Sequence, residues 1–209
     1  MTDMPVFGIL CCGKEINELA ESVRGCGCIT GILKDAGFVL GGYHTCLVKK
    51  DDASSSKLCE SKLYHLCRNC DVVFTVGAEG FAHDDILPEI TMKLCDSEAV
   101  FFTTNLCGLA NISNYDSKKR KQKVFPPSRS RAGIAQDCLV LNIRNDIGFI
   151  KALVPSLLPS LSFAAACICG KDAFRCKSIN DSLKELCCSD ENSRKIIFEK
   201  IQNIETNNR

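Results

Sequence analysis

The chain has 209 residues, of which 45% are hydrophobic and 24% charged, with a net charge of +1. These values suit one globular domain with a tail, or at most two small domains. They exclude capture of nucleic acid or an anionic membrane by bulk electrostatics. No stretch reaches 18 consecutive apolar residues, which argues against a transmembrane helix, and the start MTDMPVFGIL has no basic region of the signal-peptide kind. The expectation is a cytoplasmic protein with no nucleic-acid and no membrane partner.

Taken in chain order, residues 5–12 form a first apolar strand, and residues 28–36 a helix stopped by Gly37. Residues 38–48 make a second strand, interrupted by Gly41 and Gly42. Residues 54–67 read as a helix with Ser54 or Ser55 as N-cap. Val72, Val73 and Phe74 belong to a third, covered strand over 71–75, and residues 85–94 to a helix with Pro88 in its first turn. Residues 111–123 are polar and hold Lys118, Lys119, Arg120 and Lys121, a short basic cluster read as a solvated loop rather than a phosphate patch or a nuclear-localisation run. A strand follows over 138–143, a helix over 148–158 and a last strand over 162–169. Residues 182–204 carry Leu183, Leu186, Ile196, Ile197, Ile201 and Ile204 at near-helical spacing. The alternation predicts an α/β fold with a mainly parallel sheet covered on both faces, spanning 1–169, and a helical C-terminal extension over 170–209.

The sequence has 16 cysteines. In a reducing compartment disulfides do not persist. Cys11, Cys12, Cys138, Cys167 and Cys169 lie in apolar runs and read as small buried hydrophobes. Cys67 and Cys70 have the spacing of a metal-ligand pair with His65 nearby, but no second such pair completes a zinc site, so a structural reading is preferred. Cys187 and Cys188 carry an equally weak signal.

The densest chemistry lies at residues 71–91, DVVFTVGAEGFAHDDILPEIT. A buried strand runs into Gly77 and Gly80, where backbone can turn and approach a ligand, and then into Asp84, Asp85 and Glu89. In an open α/β sheet that place, beyond the carboxyl end of a strand, is where ligands bind. This segment resembles the signature of the MoaB/Mog family of molybdenum-cofactor biosynthesis proteins. Thr75, Gly77, Gly80, Asp85, Pro88, Glu89 and Thr91 fall in register with the family pattern. A second match is residues 128–142, where Ser128, Arg129, Ala132, Gly133, Ile134 and Asn142 fit an SR pair, an AGI triplet and a strand ending in Asn. A weaker third is KALVPSLLPSL at 151–161. The resemblance covers about residues 5–165. It departs at Ala78 in place of Gly, Glu79 in place of Thr and Asp84 in place of Arg. Residues 143–146 lack the family's Pro-Gly loop, residues 22–25 keep only the glycine of an N-terminal D-x-S-G element, and residues 48–52 lack a proline.

The resemblance implies a three-layer sandwich that joins an adenylyl group from ATP to the phosphate of molybdopterin, with Mg²⁺, and assembles as a homotrimer. It implies Asp85 as the metal ligand and as a catalytic group, with Asp51 or Asp52 as the partner carboxylate. It implies Thr75, Gly77, Gly80, Ser128 and Asn142 as cofactor-binding positions. For Asp85 the structural alternative is a helix cap, for Asp51 a solvated turn, and for Ser128 a plain turn residue. Glu79 and Asp84 add negative charge where phosphate would sit, which favours a rival reading: a catalytically degenerate binding or scaffold protein of the same fold.

Overall fold

The computed structural model describes residues 5–49, 51–108, 114–116, 121–123 and 128–168. The elements run β1 (Val6–Gly13), α1 (Ile16–Asp35), β2 (Val39–Leu47), α2 (Ala53–Cys67), β3 (Val72–Val76), α3 (Leu87–Leu94), β4 (Ser97–Glu98), α4 (Val100–Gly108), β5 (Asn114–Asp116), β6 (Lys121–Lys123), β7 (Ala132–Ala135), β8 (Cys138–Ile143) and α5 (Ile147–Ile168). Six strands form one sheet in the order β2-β1-β3-β8-β7-β4. The pairs β1–β2, β1–β3 and β3–β8 are parallel, whereas β7 runs antiparallel to both β8 and β4. β5 and β6 pair separately and antiparallel. The sheet is thus mainly parallel, as expected, with an antiparallel edge.

Two apolar cores lie on opposite faces of the sheet. Ile29 and Leu33 of α1, Phe102 and Leu106 of α4, and Phe149, Leu153 and Leu157 of α5 pack on one face with Phe7, Ile9 and Phe74. Leu63 and Leu66 of α2 and Leu87 and Ile90 of α3 pack on the other with Leu10, Val73 and Val140. This is a three-layer sandwich. β3 is buried on both sides, which is why its sequence is continuously apolar around Thr75.

Three expectations are corrected. α1 starts at Ile16, not at residue 28. Its buried residues Ser22, Cys26, Ile29 and Leu33 keep a helical stripe that Gly25, Gly27 and Gly31 obscure by their poor propensity. A side chain at Gly25 would lie 3.1 Å from Ile150 Cδ1, so this glycine lets α5 approach α1. The strand placed at 162–169 is instead the second half of α5, which continues through Pro155 and Pro159. Each internal proline costs a helix about 3 kcal/mol, but Val154, Leu157, Leu161 and Ala165 extend the buried stripe past both and hold the helix on the sheet. α5 is also long and apolar enough to cross a membrane by composition, although its buried face belongs to the core. Finally, Asp52, not Ser54 or Ser55, caps α2, its Oδ1 accepting from the N–H groups of Ser54 and Ser55 at 2.9 and 3.2 Å.

Cys11, Cys12, Cys67, Cys70 and Cys138 are buried, but Cys167 is exposed on α5. Among the described residues no cluster of three or more His, Cys, Asp and Glu side chains is arranged to hold a metal ion. The readings for Cys169, Cys187, Cys188, residues 118–120 and the extension 170–209 lie outside the described residues.

Candidate functional site

At the carboxyl edge of the sheet Val76 lies between Cys11 of β1 and Ile143 of β8. Gly77 follows with φ +92° and Ala78 with φ +54°. At Gly77 a Cβ would come within 2.3 Å of the Cys12 carbonyl oxygen and 2.5 Å of Ser22 Oγ, so no side chain fits. Ala78 takes the left-handed path with its Cβ in place, at a cost of about 1 kcal/mol.

The loop then folds back on itself. The Leu87 N–H donates to the Ala78 carbonyl at 3.1 Å, and the Asp85 N–H to that of Ala82 at 3.0 Å. Asp85 Oδ2 accepts from the Ala82 N–H at 2.9 Å. A Cβ at Gly80 would sit 2.5 Å from this same oxygen, so the missing side chain makes room for the carboxylate. α3 begins only at Leu87, with Ile86 at its cap position and no side-chain cap, so Asp85 is not the cap of this helix.

Asp85 is only 7% exposed. Its Oδ1 lies 3.3 Å from Nζ of Lys14, on the loop between β1 and α1, and that ammonium also stands 3.5 Å from Glu18. Burial pulls the Lys14 pKa down, but Asp85 and Glu18 outweigh it and hold it above the usual lysine value. Glu79 is 9% exposed. Burial pushes its carboxyl up to about 7, aided by Asp85; its own N–H, Arg144 and Lys14 oppose the rise only in part. Arg144 stacks over the Phe149 ring at 5.0 Å.

Gly77, Gly80 and Asp85 therefore meet in one cleft of about 250 Å³, with Lys14, Glu79, Glu18 and Glu21 on its walls. An adjoining cleft of about 370 Å³ shares Glu21 and Asn145 with it. The other expected residues lie elsewhere. Asp51 is exposed in the turn before α2, next to the capping Asp52, and neither lines the cleft. Thr75 and Asn142 are fully buried. The Asn142 amide donates to Thr75 Oγ1 at 2.6 Å and to Thr91 Oγ1 at 2.7 Å, which stitches β8, β3 and α3 together beneath the loop. Ser128 bonds Ser130, Oγ to Oγ at 2.8 Å, in a separate groove walled by Glu89 and Arg131. Asp84 is half exposed beside His83 and does not line the cleft.

Sequence reasoning missed two residues. Lys14 directly follows β1, and position at a carboxyl edge was its available signal. Arg129, seen only as half of an SR pair, ties the glycine loop down. Its N–H donates to the Glu79 carbonyl at 2.9 Å and its Nε to that of Gly80 at 2.7 Å. Its terminal nitrogens bond the Asp85 carbonyl and the Glu89 carboxylate.

Comparison with known proteins gives a consistent result. No family model matches the chain. A molybdopterin adenylyltransferase of Helicobacter pylori strain J99 is 28% identical over 120 residues, which are 56% of this chain. The match spans 64% of that relative's length. MoaB, a molybdopterin biosynthesis enzyme of Thermus thermophilus, superposes with a TM-score of 0.62 at 22% identity, covering 80% of this chain and 98% of its own. The molybdopterin biosynthesis Mog protein of Mycobacterium ulcerans gives 0.60 at 16% identity, covering 82% and 100%. The solved structures bear on the fold and the curated relative on the sequence. Together with the glycine loop and the SR segment they make this chain similar to MoaB and Mog proteins in fold and, over 120 residues, to a molybdopterin adenylyltransferase in sequence.

Proposed function

We propose that the chain is a molybdopterin adenylyltransferase-like protein of molybdenum-cofactor biosynthesis that binds molybdopterin and Mg-ATP at the Asp85 cleft. The observation that carries this reading is the meeting of Gly77, Gly80 and Asp85, three residues of the family register, in one cleft at the carboxyl edge of a parallel sheet. The name of the curated relative supplies the activity. In such a reaction a phosphate oxygen of molybdopterin attacks the α-phosphorus of ATP, and pyrophosphate leaves. Little is asked of protein covalent chemistry; position and charge neutralisation do most of the work.

The residues fit Mg²⁺. This ion takes one or two protein carboxylates and fills its shell with water and substrate phosphate, and Asp85 offers one shielded carboxylate. Bound there, the ion would neutralise charge on the phosphates. The glycine turn would bring backbone close to those oxygens, and Ser128 would meet a reactant from the neighbouring groove. Thr75 and Asn142 would support the loop from below, and Asp51 would act only by reaching in from the α2 turn. A homotrimer in the cytoplasm completes the reading on family resemblance.

A second reading, the non-catalytic scaffold, is favoured by Glu79 inside the cleft and by Lys14 held against Asp85. Calorimetry on Asp85→Asn separates the two. The enzyme reading expects loss of magnesium-dependent ATP binding and of adenylyl transfer with the fold intact. Unchanged ATP binding in the variant would favour the scaffold.

A further inference from the structure

The cleft has an unusual charge balance for a phosphate site. Four carboxylates, from Glu18, Glu21, Glu79 and Asp85, line it, and Lys14 is the one cation among its described lining residues. An additional negative charge about 4 Å from a phosphate costs roughly 1 to 4 kcal/mol. A phosphate can enter only where a fixed cation meets it.

We propose that Lys14 is the phosphate-anchoring residue of this cleft. The inference deepens the adenylyltransferase reading and rests on it for the identity of the phosphate. Three observations point to Lys14. It is the first residue past β1, on the same sheet edge as Gly77 and across the cleft from the glycine turn. Its ammonium is placed by two carboxylates, at 3.3 Å from Asp85 and 3.5 Å from Glu18, rather than waving in solvent, and its side chain is still 24% exposed to an incoming ligand. A lysine is a compact charge on a flexible stem with three donors, so it can keep one carboxylate contact while it donates to a phosphate oxygen. A cation taken up by Asp85 would free the ammonium for the ligand entirely. The cleft volume of about 250 Å³ suits a phosphate or diphosphate group, with the rest of a reactant over the adjoining cleft by Glu21 and Asn145.

The test uses the full chain and inorganic pyrophosphate as probe, with ATP and molybdopterin as separate arms. Lys14→Gln is expected to weaken pyrophosphate binding about tenfold or more, the usual scale for a hydrogen bond to a charged group. Lys14→Arg is expected to retain it. Lys34→Gln, at the far end of the 20-residue α1, removes the same charge and should leave binding unchanged. Bound pyrophosphate should also shield Lys14 from reductive methylation, read by peptide mass spectrometry, which a purely structural lysine would not show. Pyrophosphate held equally by parent and Lys14→Gln, or not held by the parent, overturns the inference. The same is true of methylation unaffected by the probe. If Lys14-dependent pyrophosphate binding is found but the parent binds neither ATP nor molybdopterin, the anchor stands and the adenylyltransferase reading falls. In the complementary arm, loss of ATP binding alone assigns the anchored phosphate to the nucleotide, and loss of molybdopterin binding alone assigns it to the pterin.

Discussion

Gly77 and Ala78 share a left-handed backbone but face opposite tests. Gly77→Ala would drive a methyl into the Cys12 carbonyl and is expected to cost about 2 kcal/mol or more, seen as a lowered denaturation midpoint. Ala78→Gly should relieve strain and raise stability by up to about 1 kcal/mol, an outcome that a lowered midpoint would contradict. Glu79 gives a pH-dependent prediction. Its folded-state carboxyl lies at about 7 against an ordinary 4.5. The protonated form is thus the better one in the folded protein, and stability falls as pH rises from about 4.5 to 7 while the buried group ionises. The difference corresponds to about 3 kcal/mol. Glu79→Gln should therefore stabilise the metal-free protein more at about pH 8 than at about pH 5 in denaturant titrations; an equal effect at both would show that Glu79 is well solvated. Much of this scale was legible in sequence. The glycines, Asp85 and the misfit of Glu79 stood out because they deviate from or keep a local pattern. Lys14 and Arg129 did not, since their roles come from contacts across 71 and 44 positions of chain, to Asp85 in both cases.

At the scale of elements, Arg129 fastens the loop of residues 79–85 to the segment entering β7 by holding the carbonyls of Gly80 and Asp85. Lysine lacks the planar fork that serves Gly80, Asp85 and Glu89 at once. Arg129→Lys is expected to cost about 1 to 3 kcal/mol and to raise amide hydrogen exchange in residues 79–86 while leaving β1 and β8 protected. Uniform exchange across the sheet would instead mean that Arg129 supports the whole fold. The strand framework was readable because β1, β3 and β8 are apolar runs of strand length ended by glycine or polar residues. α1 and α5 were not fully readable. Glycines in the first and prolines in the second oppose helix locally, and only packing against each other and the sheet overrides that preference. β4 and β7 also escaped notice, since strands of two and four residues carry almost no periodic signal.

For the whole molecule, two apolar layers clasp a mainly parallel sheet whose carboxyl edge carries the ionisable groups of the proposed cleft. Of the twelve described cysteines, eight are buried and fit this plan as small core residues. Denaturation without reductant should expose nearly 16 titratable thiols, and elemental analysis should find no stoichiometric zinc; several native disulfides would contradict the core reading. The fold was legible from the order of strands and helices, whereas catalytic competence was not, because it depends on how Lys14, Glu79 and Asp85 balance charge in a volume of about 250 Å³. The most direct measurement is calorimetric titration of the purified full chain with molybdopterin and, separately, with ATP in the presence and absence of magnesium. The proposed function predicts saturable binding of both, with the ATP isotherm strengthened by magnesium. Absence of heat for both ligands, in a protein shown to be folded, would contradict it and leave the fold as a scaffold.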